Sequence, residues 1–270
     1  MRKAIILFLV SLGAILFADA QATPRSAKAE TGSLTAKNGF RNETEIAGKF
    51  NNWRTDTDAQ TWLAFMGYKT SGIKEVLASK PHGEKADVEV KITTADSVAR
   101  EGISIKLVSS NNGFNQIDKR WLAHYAIMWK MPAEVVESLK LFVGESKPIR
   151  SSKVPGRMYL NELDTEDQKR ILDFFKANRD VIVSDLFRGD GEFDADWIMV
   201  ALKSTDKPRW ILRRIDHAIE FFSGGPVEIT RNGNLRIGRI TMQRKGGDGG
   251  RETAKMLQFK INPALLFDKN

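Results

Sequence analysis

Ala86-Asp87-Val88-Glu89-Val90-Lys91-Ile92 and Gly102-Ile103-Ser104-Ile105-Lys106-Leu107-Val108 both alternate apolar with polar residues, the period of two that marks a half-buried β-strand. Successive side chains of a strand point to opposite faces, so Ser104 and Lys106 share one face while Ile103, Ile105 and Leu107 share the other. A hairpin of the two strands brings the Asp87 carboxylate, the Ser104 hydroxyl and the Lys106 ammonium to one polar edge. Phosphodiester hydrolysis calls for such a set. A hard cation such as Mg²⁺ takes oxygen ligands from carboxylate, phosphate and water; it stabilises developing charge and lowers the pKa of its bound water. A lysine beside it orients or helps deprotonate that water. The same alternation more often marks a solvated sheet face, and the spacing alone leaves both readings open.

Outward from these strands the periodicity changes repeatedly. Asn42 with Glu45 resembles a capping box, and Ile46, Phe50 and Trp53 continue a helical face. Asp56 to Met66 reads as a second helix stopped by Gly67, and Ile73 to Leu77 as a short third one. Beyond Gly113, Ile117 to Trp129 carries Trp121, Leu122, Tyr125 and Met128 at helical spacing, and Pro132 opens a further helix to Phe142. Further helices are expected over 165–178, 181–187 and 215–222, and strands over 197–202, 210–212 and 256–261. Val227 to Ile229 pairs with Leu235 to Gln243 through an Asn232-Gly233 turn. No internal repeat and no dividing linker is visible, so residues 39–268 are expected to form a single mixed α/β domain.

Composition narrows the chemistry. The 270 residues contain no cysteine, which removes disulfides, thiol nucleophiles and thiolate zinc sites. The three histidines are scattered; His124, among Trp121, Leu122 and Tyr125, is expected to be packed in the core. With 41% hydrophobic residues the chain can bury a sizeable core, and a net charge of +8 favours polyanionic partners. Arg2 and Lys3 precede an apolar run from Ala4 to Phe17, followed by Ala18-Asp19-Ala20 and Ala20-Gln21-Ala22. Residues 1–22 therefore read as a secretory leader, too short to span a bilayer comfortably. Once it is cleaved, no stable membrane association is expected. Residues 23–38, without periodicity, read as a flexible lead-in.

Four runs resemble a known family: 32–43 (Gly-Ser-Leu-Thr-Ala-Lys-Asn-Gly-Phe-Arg-Asn-Glu), 105–109 (Ile-Lys-Leu-Val-Ser), 113–125 from Gly-Phe-Asn-Gln-Ile-Asp-Lys to Trp-Leu-Ala-His-Tyr, and 243–254 from Gln-Arg-Lys-Gly-Gly-Asp to Gly-Arg-Glu-Thr-Ala. In order and nearly without gaps, they resemble the HinP-type type II restriction endonucleases, which cut GCGC. The resemblance implies a PD-(D/E)xK nuclease fold, a mixed sheet flanked by helices, and Mg²⁺-dependent cleavage of duplex DNA. It also implies a cognate DNA methyltransferase in the same system and a cytoplasmic setting, which the leader contradicts by pointing to export.

Position by position, the resemblance makes Asp87 the metal-binding aspartate and Lys106 the lysine of the motif, with the Ile105 carbonyl as a further metal ligand. Ser104 departs from the pattern, standing where the family has Asp, Glu or Gln; its neutral hydroxyl is a poorer ligand. Glu43 corresponds to an acidic residue directed at the metal, or is a first-turn carboxylate favoured by the helix dipole. Phe114, followed by Asn115 and Gln116, suits a wedge between base steps with two amides at base edges. Its alternative is a buried Phe114 beside Trp121. Lys119 and Arg120 would meet phosphates. Gln243, Arg244, Lys245, Asp248 and Arg251, around a glycine-rich loop, could read a G/C site, although charged loops are usually just solvated. Two further functions stay in view: a sequence-specific DNA-binding protein impaired in catalysis by Ser104, and an exported nuclease that degrades foreign DNA.

Overall fold

The computed structural model describes residues 24–268 apart from 82, 84, 190, 204–207, 248 and 249, so the leader and Asp248 lie outside the described residues. In chain order the elements are α1 (Pro24–Asn51), α2 (Thr57–Phe65), β1 (Ile73–Ser79), β2 (Val88–Thr94), β3 (Val98–Val108), β4 (Asn115–Arg120), α3 (Leu122–Met128) and α4 (Ala133–Val143). They continue with α5 (Thr165–Ala177), α6 (Arg179–Phe187), β5 (Trp197–Leu202), β6 (Arg209–Arg214), α7 (Ile215–Ser223), β7 (Val227–Ile229), β8 (Leu235–Ile237), β9 (Ile240–Arg244) and β10 (Leu257–Ile261).

The strands form two five-stranded sheets, β1-β2-β3-β5-β6 and β4-β10-β9-β8-β7. The first is mixed, because β3 and β5 run parallel while the other neighbours are antiparallel. The second is antiparallel throughout. The expected hairpin is β2–β3, in register from Val88 opposite Ile103 to Thr93 opposite Val98.

The first sheet separates two hydrophobic cores. Ile46, Phe50, Trp62 and Leu63 of α1 and α2 pack with Val88, Val90, Ile103 and Ile105 on one side. The larger core, from α3–α7 and the second sheet, takes the other. β5 is buried at all six positions; Trp197 and Met199 belong to the first core and Ile198, Val200 and Leu202 to the second. Burial on both faces is why this strand reads as a continuous apolar run.

Four segments depart from the sequence expectations. α1 begins at Pro24 instead of near Asn42; the Ala-, Lys- and Glu-containing lead-in favours helix, and Pro suits a first turn. Ile73 to Leu77 is strand, not helix. A register shift between Ile73 and Glu75 puts the buried Ile73 and Val76 three apart, so the bulge imitates helical spacing. Ile117 to Trp129 splits into β4 and α3, because Asn115 to Arg120 pair with the distant β10. The run 235–243 is divided at Gly238, whose φ is +58° and where a Cβ would lie 2.4 Å from the Ser223 carbonyl oxygen. His124 is exposed rather than packed, since α3 turns Leu122 and Tyr125 inward instead. Among the described residues no helix is long and apolar enough to cross a membrane.

Candidate active site

Asp87 lies one residue before β2, where its N–H still donates to the Ile103 carbonyl at 2.9 Å. The β2–β3 ladder has ended there, so the next inward-turned peptide groups of β3, those of Ile105, have no strand opposite. A backbone group so placed needs another partner. The Ile105 N–H finds one in Asp87 Oδ2 at 2.6 Å, and the Ile105 carbonyl accepts from Lys106 Nζ at 3.2 Å. The end of a ladder thus aims one carboxylate and one carbonyl at the same place.

Ser104 and Lys106 reach that place from the strand face opposite α1 and α2. Lys106 Nζ donates to Ser104 Oγ at 3.0 Å and stands 3.6 Å from Asp87 Oδ2; Ser104 Oγ donates to Asp87 Oδ2 at 3.4 Å. Oxygens of three chemical kinds, carboxylate, hydroxyl and carbonyl, therefore converge on one cationic nitrogen. The ammonium acts as a stand-in for a cation, and an all-oxygen donor set suits a hard divalent ion. Charge is the weak point of the fit, since Asp87 supplies the one carboxylate of the three. No group of three or more His, Cys, Asp or Glu that could hold a metal ion occurs among the described residues. Glu43 lines the same cleft, but its Oε2 is paired with Lys80 Nζ at 2.9 Å. Glu101 is turned away, accepting from Tyr68 and Trp197 on the other face.

The cleft has a volume of about 830 Å³, and its second wall is β4, with Asn115, Gln116, Lys119 and Arg120. Phe114, just before β4, is 61% exposed, so the buried alternative beside Trp121 does not describe it. Four groups tie the walls together. Lys85 Nζ donates to the Ile117 carbonyl at 2.9 Å and to Asp118 Oδ2 at 3.1 Å. Asp118 Oδ1 accepts from Tyr125 OH at 2.5 Å and from Arg120 Nε at 3.2 Å. Burial pushes the Asp118 carboxyl up, but Lys85, the Tyr125 hydroxyl and Arg120 outweigh it and hold the group below its ordinary range. Sequence reading missed Lys85 and Asp118; the visible signal was a lysine two residues before Asp87 and an acid within the polar face of β4.

The remaining expected residues lie off this cleft. Gln243 Nε2 donates to Gln258 Oε1 at 3.4 Å, and Gln258 Nε2 to Gln116 Oε1 at 2.7 Å. Gln243 is thereby linked across three strands to the cleft wall through Gln258, a third residue missed. Arg244 Nε donates to the Val143 carbonyl at 2.8 Å, turning that edge of the guanidinium into the protein. The Lys245 N–H donates to the Met256 carbonyl at 2.8 Å, and Arg251 is exposed at the start of a short 3₁₀ turn.

Residues 66–267 match the sequence profile of the R.HinP1I restriction endonuclease family. No curated protein matches the chain in sequence. Among solved structures it is similar to the restriction endonuclease MspI in complex with its cognate DNA, with a TM-score of 0.59 and 14% identity over 86% of this chain and 92% of that one. The mixed sheet flanked by helices is thus a restriction-endonuclease fold.

Proposed function

The chain belongs to the R.HinP1I restriction endonuclease family and is a type II site-specific deoxyribonuclease, and on that premise we propose that it cuts duplex DNA at GCGC using Mg²⁺. The observation that carries this reading is the convergence of Asp87 Oδ2, Ser104 Oγ and the Ile105 carbonyl on one cation, across a cleft from Asn115 and Gln116, which the exposed Phe114 directly precedes in the chain. That MspI was solved with its cognate DNA supports a duplex as the occupant of this cleft.

In the proposed mechanism Asp87, Ser104 and the Ile105 carbonyl would hold the divalent ion. The ion supplies charge neutralisation at the phosphate and a bound water of lowered pKa. Lys106, beside the same oxygens, would orient the attacking water and share the charge that develops on the phosphate. The Ile105 N–H fixes the rotamer of Asp87, so the carboxylate is aimed before substrate arrives. Lys119 meets the backbone and sets position. Phe114 enters between base steps while Asn115 and Gln116 meet base edges. A cognate methyltransferase would protect the host's own sites in such a system.

The test is to incubate the purified protein with a plasmid rich in GCGC, with and without Mg²⁺, and to sequence the fragment ends. Metal-dependent ends at one short G/C palindrome are expected. Tight binding without cuts in any divalent metal would overturn the catalytic reading and leave a DNA-binding protein, with the neutral Ser104 as the cause.

A further inference from the structure

Gln243 on β9 is directly opposite Gln258 on β10, Gln116 on β4 reaches Gln258 diagonally across the register shift beside Phe259, and their hydrogen bonds run in one direction. Gln243 donates to Gln258, and Gln258 donates to Gln116. The central residue is 7% exposed, whereas Gln116 is open at the cleft wall. We propose that Gln258 is a positioning residue for sequence recognition: without touching DNA, it decides which end of each outer amide is offered to a base. The inference rests on the reading that this face meets duplex DNA.

A primary amide has an acceptor end and a donor end. With its Oε1 held by Gln258, Gln116 turns its NH₂ outward and offers donors. With its Nε2 held, Gln243 turns its Oε1 outward and offers an acceptor. In the major groove guanine presents the acceptors O6 and N7, and cytosine presents the N4 donor. The ladder therefore matches guanine at the Gln116 end and cytosine at the Gln243 end. Turning Gln116 over would set its NH₂ against that of a buried residue, and turning Gln258 over would set like against like at both ends. An unmatched buried donor or acceptor is what folding avoids, so neither outer amide turns over alone, and the two ends are offered in opposite sense before DNA arrives.

The experiment uses the full chain, wild type and two variants, on duplex libraries in which each position of the cleaved site is randomised in turn. The products are sequenced and each protein's melting temperature is measured. Gln258→Glu keeps the size but only accepts, so Gln116 must turn its NH₂ inward and its carbonyl outward. Preference at one position is then expected to move by about tenfold from guanine to adenine or cytosine, whose amines face the major groove, with the cytosine preference at the other unchanged. Gln258→Met removes both bonds without placing a charge, and discrimination should fall by about tenfold at both positions. The Met variant decides the matter if the Glu variant does not fold. Folded variants that cut with the wild-type base profile, merely more slowly, would overturn the proposal while leaving the endonuclease reading intact. A wild type that cuts nothing would fell that reading and the proposal with it.

Discussion

At the scale of single residues, the proposed metal site has Asp87 as its one carboxylate, with the neutral Ser104 where the pattern has Asp, Glu or Gln. Asp87→Ala removes the charged ligand and the acceptor for the Ile105 N–H. It is expected to lower single-turnover cleavage by about 10³-fold or more and to leave DNA binding, followed by fluorescence anisotropy, largely unchanged. Normal cutting by this variant would place the site elsewhere. Phe114 offers a cleaner separation of function from folding, because a side chain 61% exposed contributes little to the core. Phe114→Ala should shift stability by no more than about 0.5 kcal/mol yet weaken both DNA bending and cleavage, measured by gel mobility and by product formation. Asp87, Ser104 and Lys106 were legible because strand alternation is a local rule. The partner of Glu43 was not, since Lys80 reaches it from a loop 37 positions on.

At the scale of elements, strand β4 is where local reading failed and where the cleft acquires its second wall. Its helical appearance arose from Leu122 and Tyr125 of α3 and its N-cap Trp121, extended backwards over residues whose conformation is set by pairing with β10. The Lys85–Asp118 pair fastens β4 to the segment that ends in Asp87. Both side chains are nearly buried, so removing one charge strands the other. Asp118→Asn should cost about 3 kcal/mol, read as a fall in the denaturation midpoint near pH 7. The Asp118 carboxyl is held below its ordinary value of 3.8, and the sign of its linkage follows. Its contribution is present in full above that value and is lost as pH falls through the lower folded value. Stability measured from pH 7 to pH 2 should show an acid loss below about pH 4, which Asp118→Asn reduces. An unchanged acid profile in the variant would show that Asp118 is not the group responsible.

At the scale of the whole molecule, the two sheets divide the work. The first carries Asp87, Ser104 and Lys106, and the second presents the amide ladder. The net charge of +8 suits a polyanion and makes its binding salt-dependent. The leader poses a separate question, because a restriction system works inside the cell that it protects. The A-x-A sites predict a mature chain beginning at Gln21 or Thr23. Intact-mass measurement of the natively expressed protein checks this, and a mass that includes Met1 would overturn processing.

The amino-acid sequence by itself determined the alternating β2 and β3, the chemistry-bearing residues on their polar edge, most helices and the absence of thiol chemistry. These depend on periodicity and composition, which act within a few residues. Only the tertiary structure decided that residues 73–79 and 115–120 are strands, that Lys85 locks Asp118, and that Gln258 orders two amides on neighbouring strands. Each of these depends on a partner far along the chain, and the free energy of such a contact exists only once the chain has closed the loop between them.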